Sequence, residues 1–259
     1  MKITIALSFF LLATVSAKTQ TVLLDSYFNN EHRPGPDGKT ESWHYKWEET
    51  DNGGFSLLAD MFREQGAKTN TSYVRPTPAI LDSAAVYILV DPDIPEENPD
   101  PNYIEARDAQ VISDWVKNGG VLVLMGNDPG NAEFNHFNRL AEQFGIRFNQ
   151  DRRNHVEGHD FATGALTIPK NHPVFRTTSK IYMKDICTLH VEAPAKPLLT
   201  DKEDVIMAVA RFGRGTVFAV GDPWLYNEYT DGKILPAEYQ NLQAANDLVK
   251  WLLSRVPAR

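Results

Sequence analysis

IEARDAQVISDWVKNGGVLVLMGND, residues 104–128, passes from one periodicity to another within a few positions. Ile104, Val111, Ile112 and Trp115 recur at helical spacing up to Lys117, Asn118-Gly119 supplies the stop, and Val121 to Met125 is then apolar at every position. A strand apolar on both sides has to be buried on both faces, which predicts a parallel sheet covered by helices.

The same pattern extends outward in both directions. Upstream, Ala85 to Val90 is a continuous apolar run halted by Asp91, and Thr21 to Leu24 is another halted by Asp25. Gly53 to Gln65, ending at Gly66, has helical spacing, as does Asn131 to Phe144. Ile146 to about Pro197 is rich in turns and short strands and reads as a β-rich insertion. Val205 to Phe212, the turn Gly213-Arg214-Gly215 and Thr216 to Val220 predict a hairpin, and Ala237 to Arg255 a closing amphipathic helix. The expected class is α/β, a three-layer, mostly parallel sheet of flavodoxin-like type.

Met1-Lys2, an apolar run from Ile3 to Val15 and the small residues Ser16-Ala17 have the order of a secretory leader, predicting cleavage after residue 17 and one α/β domain over 18–259. The run is shorter than the ~20 residues that span hydrocarbon, so no membrane association is expected once it is removed. Export to the periplasm or beyond follows. The single cysteine, Cys187, allows no internal disulfide, and a net charge of −8 argues against a nucleic-acid partner. The sequon Asn70-Thr71-Ser72 carries weight only in a eukaryotic secretory pathway.

Polar residues crowd the segments that follow the strands: Asp25, Tyr27, Asn29 and Asn30, then Trp43-His44-Tyr45-Lys46-Trp47; Asp91 and Asp93; Asn127, Asp128 and Asn131; and Asp222 with Trp224, Tyr226 and Asn227. In such a sheet these segments converge at the carboxyl ends of the strands, where ligands bind. Rings interleaved with amides and carboxylates suit a sugar, whose C–H patches lie on aromatic faces while its hydroxyls need short polar partners. The same residues also serve structure: Asp caps helices and closes turns, and tryptophan anchors loops. His44 and His136 are candidates for proton transfer. His155 and His159 lack a third ligand nearby, so neither a metal nor another cofactor is expected. Gly213-Arg214-Gly215 and Gly119-Gly120 make no phosphate cradle.

The helix, strand and turn of WVKNGGVLVLMGND resemble the core of the class I glutamine amidotransferase-like fold. That resemblance implies a nucleophile elbow after Val121–Met125 and a histidine and glutamate after the last strand. The positions read Gly126-Asn127-Asp128 and Asp222-Pro223-Trp224 instead, so glutaminase activity is not expected. ILVDPDIPEENPDPNYI, GNDPGNAEFNHFN and GTVFAVGDPWLYNEY are similar to a branch of that fold found in Bacteroidota polysaccharide-degradation loci, alone or fused to unsaturated glucuronyl or rhamnogalacturonyl hydrolases. The resemblance implies uronate-bearing oligosaccharides of pectin or ulvan type as substrate, those hydrolases as partners, and dehydration of the non-reducing-end sugar to a 4,5-unsaturated uronate.

Such an elimination removes the C5 proton, stabilises charge on the adjoining carboxylate and protonates the departing C4 hydroxyl. Tyr27, His44, Tyr45 or His136 would move the protons; Lys46, Asn29, Asn127 or Asn131 would hold the carboxylate. Two alternatives stand beside it: a glycan hydrolase pairing Asp93 or Asp128 with Asp222 or Glu228, and a sugar-binding protein without turnover.

Overall fold

The computed structural model describes residues 19–258; the leader assigned to residues 1–17 lies outside them. The first half alternates strands and helices: β1 (Thr21–Asp25), β2 (His32–Pro34), β3 (Thr40–Ser42), α1 (Ser56–Glu64), β4 (Lys68–Ser72), α2 (Pro78–Leu81), β5 (Val86–Val90), α3 (Ala106–Lys117), β6 (Val121–Met125) and α4 (Phe134–Ala141). The second half is mostly β: β7 (Ile146–Phe148), β8 (Ala165–Thr167), β9 (Lys180–Tyr182), β10 (Leu189–Val191), β11 (Ala195–Asp201), β12 (Asp204–Phe212) and β13 (Gly215–Val220), followed by α5 (Asn227–Thr230) and α6 (Asn241–Arg255).

One nine-stranded sheet runs β4-β1-β5-β6-β13-β12-β10-β7, with β11 also paired to β12. β4, β1, β5, β6 and β13 are mutually parallel, and the strands beyond β13 are antiparallel. The class is therefore α/β, with a parallel centre and an antiparallel wing. Within residues 146–197, β7 and β10 extend the main sheet, whereas β8 and β9 form a hairpin of their own.

The fully apolar runs are the central strands. β5, β6 and β13 are buried at every position, with Val86, Ile88, Val121, Val123 and Phe218 facing α1 and α6, and Tyr87, Leu89, Leu122 and Leu124 facing α3 and α4. Residues Leu58 and Phe62 of α1 and Leu248 and Leu252 of α6 cover the first face; Ile112, Trp115, Phe137 and Leu140 cover the second. β4, sequence KTNTS, carries no apolar signal because it is an edge strand held by backbone pairing to β1.

From β1 the chain crosses outward to β4 and then returns to β5 on the other side of β1. Strand order reverses there, so the loops after β1 and β5 run in opposite directions, and in sheets of this kind ligands bind at such a switch point. Among the described residues no helix is long and apolar enough to cross a membrane.

Candidate active site at the carboxyl ends of two strands

Asp25 closes β1 and turns the chain. Its Oδ1 accepts the Phe28 and Tyr27 amides at 2.7 and 3.2 Å, and its Oδ2 the Tyr87 hydroxyl at 2.5 Å. Burial raises this carboxyl to about 6, against the pull of those hydrogen bonds. The turn carries Asn29 and Glu31 to the end of β5. Asn29 Nδ2 donates to the Asp91 carbonyl at 2.9 Å, while Lys46 Nζ donates to the Asn29 carbonyl at 2.7 Å and to its Oδ1.

Three side chains meet at this point from backbone that L-residues rarely adopt. His44, Tyr45 and Asp91 have φ of 65°, 56° and 45°, the left-handed region, which costs on the order of 1–3 kcal/mol at each non-glycine residue. Such conformations persist only where their surroundings over-determine them. The Tyr45 amide donates to Gly53 and the Phe55 amide to Lys46, both at 3.0 Å; the Asn227 side chain clamps the carbonyls of Glu49 and Asp51 at 3.0 and 2.8 Å. As a result the Trp43, His44 and Tyr45 rings stack in series, with centroids 4.7 and 4.0 Å apart.

His44 Nδ1 lies 2.9 Å from Glu31 Oε1, and Glu31, His44 and Asp91 each present an atom within 4.8 Å of the others. Asp91 accepts Asn127 Nδ2 at 3.1 Å on Oδ2, whereas its Oδ1 is buried with no hydrogen-bond partner. Asp93 is held by the Asn30 amide and by Asn98 Nδ2 at 2.6 Å. Burial lifts Asp91 well above the usual carboxylate range, reinforced by Glu97, and lifts Glu97 to about 8, reinforced by Glu31. Burial lowers Lys46 to about 8 against the opposing pull of Asp93 and Glu31, and raises Tyr45 well above 10, with Asp91 and Asp222 adding to the shift.

The loops after β1, β3, β5 and β6 thus gather Asn29, Asn30, Trp43, His44, Tyr45, Lys46, Asp93 and Asn127, with Tyr226 alongside, its ring 6.0 Å from that of Tyr45. They do not gather the rest of the residues singled out from the sequence. The Tyr27 hydroxyl accepts from Arg75 Nε at 3.2 Å, on the side where Arg75 pairs with Asp108 of α3. His136 stacks on Tyr103 at 4.6 Å and lines a separate 430 Å³ cavity with Ile94, Pro95 and Glu133. Trp47 packs between Phe55 and Phe62 with its indole N–H on the Asn70 carbonyl, and Trp224 is fully buried against Phe175, so both are core residues. Asn227 spends its side chain on the β3–α1 loop, and Asp128 on Arg152 and Asn131 at 2.7 and 2.6 Å. Asp222 is buried after β13 with its Oδ1 unpartnered.

Cys187 is fully buried, its Sγ donating to the Gly221 carbonyl at 3.4 Å, and burial pushes the thiol well up. His155 pairs with Asp185 at 2.6 Å rather than with His159. Glu31 and Glu97 are the residues that sequence reasoning passes over. No periodicity or motif marks them, since they lie in irregular loops that only the topology brings together.

The fold has relatives among solved structures. The chain is 19% identical to the "mmIFT52 N-terminal domain" with a TM-score of 0.67, over 91% of this chain and 98% of that one. It is 16% identical to the "Cytoplasmic Protein STM1381 from Salmonella typhimurium LT2" with a TM-score of 0.59, over 92% and 100%. To the exo-β-1,4-mannosidase Op5Man5 from Opitutaceae bacterium strain TAV5 the identity is 13% and the TM-score 0.50, over 93% of this chain but 37% of the enzyme. At such identities the likeness is one of fold alone. No curated protein matches the sequence.

These relationships overturn the resemblance to class I glutamine amidotransferases, and with it the placement among Bacteroidota polysaccharide loci. The helix-strand-turn that suggested it is general to parallel α/β sheets, and the turn after β6 is not built as an elbow. A side chain at Gly126 would meet Phe148 at 2.7 Å and Cys187 Sγ at 3.2 Å, so this position is packed into the core rather than raised above the sheet. Residues 48–230, which include Asp91, Asn127 and Asp222, match one family model, and the chain belongs to the family described as "Domain of unknown function (DUF4350)".

Proposed function

We propose that this protein is a carbohydrate-active enzyme that eliminates water from a uronate at the non-reducing end of an oligosaccharide, forming the 4,5-unsaturated sugar. The observation that carries the proposal is the convergence of His44, Tyr45 and Lys46 with Glu31 and Asp91 at the carboxyl ends of β1 and β5, with His44, Tyr45 and Asp91 on left-handed backbone. A binding surface for neutral hydroxyls has no need of an imidazole oriented by a buried carboxylate, a tyrosine and a lysine packed into one place.

The reaction removes H5 to a base, develops negative charge on the C6 carboxylate, forms the C4–C5 double bond and expels the C4 hydroxyl with a proton as water. His44, partly exposed and oriented by Glu31, and Tyr45 are the groups placed to move protons. Lys46, fixed on Asn29, is the side-chain cation of the site, and its field favours the carboxylate in its charge-accepting form. Trp43, half-buried and stacked on His44, offers a face for the sugar ring. Export of the chain, and action beside hydrolases that remove unsaturated uronates, belong to the same proposal.

Incubation with saturated oligosaccharides ending in glucuronate, iduronate or galacturonate should produce the ultraviolet absorbance of a conjugated uronate. His44→Ala should lower the rate by about 10²–10⁴-fold, the range for a proton-transfer group. Binding of these sugars with no absorbance change under any condition would leave a sugar-binding protein instead.

A further inference from the structure

We propose that Glu31, His44 and Asp91 bind one divalent transition-metal ion, of the Mn²⁺ or Zn²⁺ kind, at the carboxyl ends of β1 and β5. The three residues come from separate segments: the loop after β1, the loop after β3 and the end of β5. Each presents a donor atom within 4.8 Å of the other two, and His44 Nδ1 is 2.9 Å from Glu31 Oε1. Donors bound at ~2.1 Å from one ion lie at most ~4.2 Å apart, so closure on a cation asks for side-chain shifts of a few tenths of an ångström.

A second observation points to a ligand independently of this clustering. Asp91 is 1% exposed, and its Oδ1 has no hydrogen-bond partner. Buried polar atoms are almost always partnered, and a carboxylate oxygen among other carboxylates is among the most costly to leave open. The adjacent lysine does not answer it: Lys46 Nζ donates to Asn29 and to none of the three residues. A cation bound between Glu31 and Asp91 supplies the missing partner.

The donor set identifies the class of ion. Mg²⁺ and Ca²⁺ sites are built from oxygen, whereas one imidazole with two carboxylates suits Mn²⁺, Fe²⁺ or Zn²⁺. The surroundings are those of an orienting outer shell: Asn127 holds Asp91 Oδ2 and Asn29 Nδ2 holds the Asp91 carbonyl, while left-handed backbone aims both His44 and Asp91. Three protein ligands leave coordination positions open to a substrate oxygen. Resting on the function proposed above, the ion would take the uronate carboxylate, and His44 would act in the elimination as a ligand of that ion rather than as a proton carrier; in either role His44→Ala lowers the rate.

Calorimetric titration of chelator-treated full chain with MnCl₂ and ZnCl₂ tests the site. Saturation at one ion per chain is expected, weakened at least about tenfold in Glu31→Gln and in Asp91→Asn and unchanged in Asp128→Asn, with circular dichroism confirming that each variant is folded. No saturable binding by the wild-type chain, or binding indifferent to both ligand substitutions, overturns it. Full dehydration by chelator-treated protein would take the ion out of the reaction while sparing the proposed activity; stoichiometric binding without product from any uronate would keep the ion and remove the activity.

Discussion

Asp91 and Asp128 leave neighbouring strands at the same edge of the sheet, equally buried at 1% and 2% exposure, and they are answered in opposite ways. Asp128 accepts the Arg152 guanidinium and the Asn131 amide, so a formal charge and a hydrogen-bond donor meet it. Asp91 has one amide at 3.1 Å on one oxygen and nothing on the other, with Glu31, Asp93 and Glu97 around it. A compensated buried carboxylate can be explained by folding. An uncompensated one lowers stability, and its presence beside left-handed backbone points to a ligand or a reaction that needs it.

Substitution separates the two most sharply. Asp91→Asn should reduce turnover by at least ~10²-fold while raising the unfolding free energy of chelator-treated protein by about 1–2 kcal/mol, because asparagine tolerates the left-handed region and places an N–H₂ among carboxylates. Asp128→Asn should do the reverse, losing stability because the buried position then offers the Arg152 guanidinium a neutral amide in place of a carboxylate, while keeping turnover within a few-fold. Urea denaturation and initial rates on the same preparations decide it. Equal destabilisation by both substitutions would erase the distinction.

Asp25 lies between these extremes, since it is buried and fully hydrogen-bonded but has no cation in contact. Its carboxyl is raised from 3.8 to about 6, so the folded state holds the proton to higher pH than the unfolded state. The resulting stabilisation is complete below 3.8 and is lost as pH rises through about 6. Wild type should therefore lose up to ~3 kcal/mol relative to Asp25→Asn between about pH 4 and about pH 7. A difference that stays flat with pH, measured by denaturation at several values, would mean that the Tyr87 and amide hydrogen bonds already hold the carboxylate ionised.

The sheet was legible in the sequence because continuous apolar runs such as Val86–Val90 and Val121–Met125 have one physical explanation, burial on both faces. β4 was not, because KTNTS is kept in place by backbone pairing at an edge rather than by apolar side chains. The site was half legible. Polar loops after apolar strands pointed to the edge of the sheet where the structure brings His44, Tyr45 and Lys46 together. What a linear pattern could not supply was partnership: Trp47, Trp224 and Asn227 have the residue types of a sugar site but turn inward to pack or to clamp a loop. Glu31 matters only because a reversal of strand order sets it beside Asp91.

Trp43 offers the smallest and most discriminating test. It is half-buried, stacks on His44 at 4.7 Å and has the Arg33 guanidinium 5.6 Å from its ring, so it can act either as a platform for sugar or as a wall that holds the imidazole against Glu31. The two roles differ in which kinetic constant they move. A platform binds ground state and transition state alike, so its loss raises KM and leaves kcat alone. A wall acts through His44, and loss of one aromatic contact of about 0.5–1.5 kcal/mol should cost kcat some 2–13-fold with KM little changed. The stack favours the second outcome for Trp43→Ala: the imidazole sits between two rings, and removing one frees it to turn away from Glu31, whereas Trp43→Phe should keep most of the rate. A rise in KM alone in both variants would move Trp43 from the support of His44 to the substrate.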